Sequence, residues 1–177
     1  MVLFDPIVLN VFANTYKIQG KDILDELINN PMVGNAAINE GILIPIYSIT
    51  PWDYDVIVNI GRESCINPDW VVYKNPFSFP LRIISGQLIV SDIYSLLEWN
   101  KEYYMNFPPK DERVGVDDDF HIPSGIYSVD VIGFSDRCNQ DLENRKCGYE
   151  FIFNSVEKLP SIKDVNINQF NFNVISL

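Results

Sequence analysis

"DDDFHIPSGIYSVDVIGFSD", residues Asp117 to Asp136, holds three consecutive carboxylates, the one histidine of the chain, a proline-glycine turn and an alternating run of apolar and polar residues. The alternation decides the fold. Tyr127, Val129 and Val131 fall on one side of an extended segment, with Ser128 and Asp130 on the other, which is the period of a half-buried β-strand. These three side chains are expected to turn inward, while the aspartates ahead of them stay in water.

The same period recurs in both directions along the chain. "YDVIVNI" alternates Tyr54, Val56, Val58 and Ile60 with Asp55, Ile57 and Asn59, and "DWVVY" and "LRII" follow between Asn-Pro and Phe-Pro breaks. "YEFIF" and the terminal "VNINQFNFNVISL" continue the pattern, the latter with Val165, Ile167, Phe170, Phe172 and Val174 as apolar anchors. "IVLNVFANTYKI", Ile7 to Ile18, places Ile7, Leu9, Val11 and Ala13 on one extended face and reads as a strand. "KDILDELINN" changes to helical period, with Ile23, Leu24, Leu27 and Ile28 on one face between Gly20 and Pro31. Ser91 to Trp99 fits a strand or one or two helical turns opened by a serine cap. Short segments separated by turn signals predict a mainly β protein: an antiparallel β-sandwich with one to three short helices, one domain over 1–177.

With 177 residues, 47% hydrophobic and 13% aromatic, the chain has material for a packed core. Its net charge of -11, from 24 acidic and 13 basic residues, opposes binding to a phosphate backbone or an anionic membrane. A partner, if charge selects it, is a basic protein. The N-terminus lacks a basic n-region, and no run of apolar residues is long enough to span a bilayer, so neither a signal peptide nor a membrane helix is expected. Cys65, Cys138 and Cys147 are an odd number in a long chain, which suits a reducing cytoplasm; a bridge between Cys138 and Cys147 across a hairpin remains open.

No catalytic or metal pattern emerges. His121 lies between Phe120 and Ile122 before the turn, where it alternates to the solvent face, and no G-x-S-x-G elbow accompanies it. Consecutive aspartates on an extended chain point to opposite sides, so Asp117, Asp118 and Asp119 do not converge on a cation, and the order of an EF-hand loop is missing. The cysteine spacing is not that of a zinc site, and the glycines form no phosphate loop. No cofactor is expected.

"NPFSFPLRIISGQLIVSDIYSLLEWN" and "DFHIPSGIYSVDVIGF" together resemble the competence protein J family, inhibitors of a bacterial DNA-entry nuclease. The shared elements are a Pro76-Phe77 strand, a Gly86-centred turn into "LIVSDI", and a strand approached through Phe120, Ile122, Pro123, Gly125 and Tyr127. About a quarter of the chain is covered. The resemblance implies a small β-sandwich that inhibits a nuclease; in size and acidity the chain also resembles the immunity proteins that protect bacteria from their own polymorphic toxins. In that role, carboxylates would occupy the basic groove of the enzyme and aromatic anchors would supply affinity. The candidate contact residues are Tyr103, Tyr104, Phe107, Asp111, Glu112, Asp117, Asp118 and Asp119 in the long polar loop, with Asp136, Asp141 and Glu143 in the later excursion. Two other classes stay open: a sandwich module binding a small ligand or carbohydrate through Trp52, Trp70 or Trp99, and a hydrolase using two carboxylates alone.

Overall fold

The first turn of the chain is organised by a carboxylate. In the computed structural model, which describes residues 1–18, 22–97, 99–106, 118–141, 144–162 and 171–175, Asp5 is fully buried. Its Oδ1 accepts hydrogen bonds from the Ile7 and Val8 backbone N–H at 2.8 and 3.1 Å, and Pro6 follows it. A capping aspartate with proline at the first helical position starts a helix, so Pro6–Thr15 is α1 and not the strand that alternation suggested. The buried face is Val8, Leu9, Phe12 and Ala13, a helical stripe, while Val11 is exposed. The other carboxylate oxygen accepts from Ile84 N–H, Ser85 N–H and Ser85 Oγ at 2.7 to 2.8 Å, so one residue caps α1 and fastens it to a distant turn.

The expected helix in "KDILDELINN" forms as α2, Ile23–Asn29, but Pro31 does not end the helical region. It opens α3, Pro31–Asn39, because proline is well placed where a helix needs no N–H donor. With α4, Lys101–Met105, the described residues hold four α-helices, one more than expected. Within the ambiguous stretch from Ser91, Ser91 itself ends a strand and Ile93–Leu96 forms a 3-10 turn, capped by Asp92 and not by a serine.

Among the described residues, nine strands build two sheets. In the first, β1 (Val2–Phe4) lies between β2 (Leu43–Pro45) and β6 (Gln87–Ser91), and β7 (Asp118–His121) pairs with the outer side of β6; all pairs are antiparallel. In the second, β8 (Gly125–Ser135) is the backbone of the sheet. It pairs with β9 (Cys147–Ser155) on one side, and on the other with β5 (Phe79–Ile83) along its first half and β4 (Val71–Lys74) along its second. β3 (Asp55–Ile60) completes the sheet beside β9, and this pair is parallel in an otherwise antiparallel arrangement of the described strands.

The fold is mainly β, with a sandwich at its centre. Leu3, Leu88 and Val90 of the first sheet and Phe79, Tyr127, Val129, Val131, Phe151 and Phe153 of the second share one apolar core. Alternate residues of the first sheet, Val2, Phe4 and Ile89, face the other way and pack with α1, α2 and α3 and with Trp99 and Tyr104. The helices thus form a third layer. At the C-terminus, 171–175 carries no strand; Phe172 and Val174 are buried as expected, whereas Val165, Ile167 and Phe170 lie outside the described residues. No described helix is long and apolar enough to cross a membrane.

Candidate functional site

Strand β7 is the outermost strand of its sheet among the described residues. Its register sets Asp118 opposite Val90 and Asp119 opposite Ile89. Val90 belongs to the core between the sheets and Ile89 to the core under the helices, so the two aspartates project to opposite faces at the sheet margin. Both are exposed, as is His121. The alternation predicted for consecutive aspartates is what the strand shows, and no group of three metal-ligating side chains occurs among the described residues. Gly86, at φ +80°, makes the turn against which the His121 ring rests, a backbone conformation that glycine adopts without strain.

Asp136 and Asp141 stand elsewhere, in the hairpin joining β8 to β9. The Asp136 N–H donates to the Lys146 carbonyl at 2.8 Å, closing the hairpin, and Asp141 accepts from the Asn144 amide at 2.6 Å. The described acids expected to act together therefore stand apart, Asp118 and Asp119 on the outermost strand of one sheet and Asp136 and Asp141 in a hairpin of the other. Tyr103 is half-buried on α4. Tyr104 is a correction: only 6% exposed, it stacks on Trp99 with ring centroids 4.9 Å apart and meets Phe4 edge-on at 5.5 Å. One turn of helix turns it into the core, so it anchors α4 to the first sheet and offers no contact surface. Phe107, Asp111, Glu112, Asp117 and Glu143 lie outside the described residues.

A second carboxylate site was not foreseen. Glu150, at the centre of β9, is fully buried on the outer face of the second sheet, opposite the faces of Tyr149 and Phe151. It accepts from the Asn59 amide at 3.1 Å, the Cys65 N–H at 3.0 Å, the Cys65 thiol at 3.2 Å and the Ser64 hydroxyl. Burial pushes this carboxyl upward, but the donors from Cys65, Ser64 and Asn59 outweigh it and hold the group below the ordinary glutamate range. The residues after β3 are thereby clamped across β9 on their way to β4. The sequence signal was a charged residue inside the apolar run "YEFIF", which a strand can bury only with donors. Replacing Glu150 by glutamine keeps the shape and removes the charge, and should cost about 2 kcal/mol of unfolding free energy, as urea denaturation would measure. Because the folded carboxyl titrates below the unfolded one, its contribution is complete above about pH 4.5 and disappears as pH falls through the folded value, a slope that the glutamine variant should lack.

Beside this clamp lies a cleft of about 340 Å³, lined by Asp55, Ile57, Ile66, Trp70, Phe134 and Lys146 among others. Trp70 is half-buried in it, whereas Trp99 is in the helical core and Trp52 is exposed. The three cysteines are free, Cys65 and Cys138 exposed and Cys147 buried. The hydrogen bond to Glu150 raises the Cys65 thiol and burial raises that of Cys147, so neither is primed as a thiolate nucleophile. Asp5 and Glu150, the two buried carboxylates among the described residues, are each committed to hydrogen bonds that hold the fold.

No family model, no curated protein and no solved structure matches the chain.

Proposed function

We propose that the protein is a non-catalytic acidic binding protein that inhibits a basic partner, a bacterial toxin or nuclease, by occupying its active-site cleft, in the manner of an immunity protein. The observation that carries this reading is the exposed Asp118–Asp119 pair, held on both faces of an ordered sheet margin in a chain of net charge -11. Two carboxylates projecting either way from a thin edge suit a cleft with cationic walls, and the overall charge would steer the two proteins together. Fixing them on a strand lowers the ordering cost of the contact. Of the candidate aromatics described, Tyr103, half-buried on α4, keeps surface to offer; Tyr104 leaves the contact set.

Affinity capture from cells of its natural source, followed by mass spectrometry, tests the reading. The expected result is one basic protein, recovered in stoichiometric amount at low ionic strength and released by salt. Recovery of only acidic or neutral partners would count against it.

A second reading, a sandwich that binds a small ligand, is favoured by one observation, the placement of Trp70 in a concave site.

A further inference from the structure

The cleft beside Glu150 has a defined polarity. Its floor is apolar, from Ile57, Ile66, Trp70 and the buried Phe134. Its margin carries one carboxylate, Asp55, and one ammonium group, Lys146, both exposed. Asp55 pairs with Gly148 across β3 and β9, and Lys146 stands two residues before Gly148, on the same face at strand period. The two backbones are therefore about 8 Å apart, the separation of diagonal neighbours in a sheet. Among the described residues neither side chain enters an ion pair.

A sheet surface that holds opposite charges outside any ion pair, next to an indole and a phenyl ring, matches a ligand carrying both charges and an apolar group. We propose that this cleft binds a small zwitterion with an apolar side chain, of the class of a free apolar α-amino acid. The ligand's ammonium group faces Asp55, its carboxylate faces Lys146, and its side chain lies against Trp70 and Phe134. The volume of about 340 Å³ is at the small end of ligand clefts and admits one such molecule. This assignment is independent of the acidic sheet margin and of any protein partner.

Calorimetric titration of the full chain with L-phenylalanine tests it. Saturable one-to-one binding is expected, with a dissociation constant below about 1 mM. Phenethylamine, which lacks the carboxylate, and 3-phenylpropionate, which lacks the ammonium group, should each bind at least about tenfold more weakly. Lys146→Gln and Asp55→Asn should reproduce those losses in the protein, Trp70→Ala should abolish binding, and Trp52→Ala should leave it unchanged. If Trp70→Ala does not fold, the ligand series on the native chain still decides. Absence of saturation by both phenylalanine and leucine at about 10 mM, equal binding of the one-charge analogues, or tighter binding of a neutral sugar such as glucose would each overturn the assignment.

Discussion

Gly148→Ala is expected to lower the unfolding free energy by about 4 kcal/mol, seen as a fall of roughly 8 to 16 °C in melting temperature for a chain of this length. Gly148 is the residue of β9 that faces Asp55 of β3 in the parallel pair. A Cβ at this position would collide with the Asp55 carbonyl oxygen and crowd that residue's backbone nitrogen. These are backbone atoms, which cannot rotate away as the end of a side chain can. Relief requires β3 to separate from β9, and the loss then spreads to Asn59 and to the Glu150 clamp, which depend on β3 staying in place. A change below about 1 kcal/mol would show that β3 does not approach β9 as described.

Tyr127→Ala should be comparably damaging, at about 3 to 5 kcal/mol by urea denaturation, because a buried aromatic ring is removed from the middle of the sandwich. Tyr127 is 3% exposed, packs edge-on against Phe153 with centroids 5.7 Å apart, and sits between Leu81 of β5 and Ser155 of β9 in the sheet. Its hydroxyl donates to the Pro123 carbonyl at 2.6 Å, which ties the start of β8 to the turn that leads from β7. Tyr127→Phe separates the two contributions: it keeps the ring, loses the hydrogen bond, and should cost only about 1 kcal/mol.

Period-two alternation located the central strands because each of them has one face in the shared core and one outside it. Tyr127, Val129 and Val131 turn inward as their spacing predicts. The same rule failed at Ile7 to Ile18, where apolar residues are so dense that both periods fit. There the deciding signal was Asp5-Pro6, a helix start that outweighs the alternation of Leu9 and Val11. Pro31 misled in the same way, since a proline that cannot continue one helix can begin the next. The parallel pairing of β3 with β9 joins segments some ninety residues apart in sequence, and local pattern carries no information about that choice.

The candidate site was legible only in part. That Asp118 and Asp119 diverge follows from strand geometry alone, and the exposure of His121 from its neighbours. Tyr104 misled because aromatic residues in a polar stretch look like surface anchors until a helix turns one of them toward Phe4 and Trp99. The donors to Glu150 come from Asn59, Ser64 and Cys65, about ninety residues earlier, so the lone glutamate in an apolar strand marked the position but not its partners.

The acidic margin is tested most directly by the association rate. With the basic protein recovered by capture, the double variant Asp118→Asn, Asp119→Asn should keep its melting temperature, since exposed charges contribute little to stability. Its association at low ionic strength should slow by roughly threefold or more, and the difference from the native chain should fade by about 0.5 M salt. An unchanged association rate at low ionic strength would contradict the proposal and would place the contact on another face of the molecule.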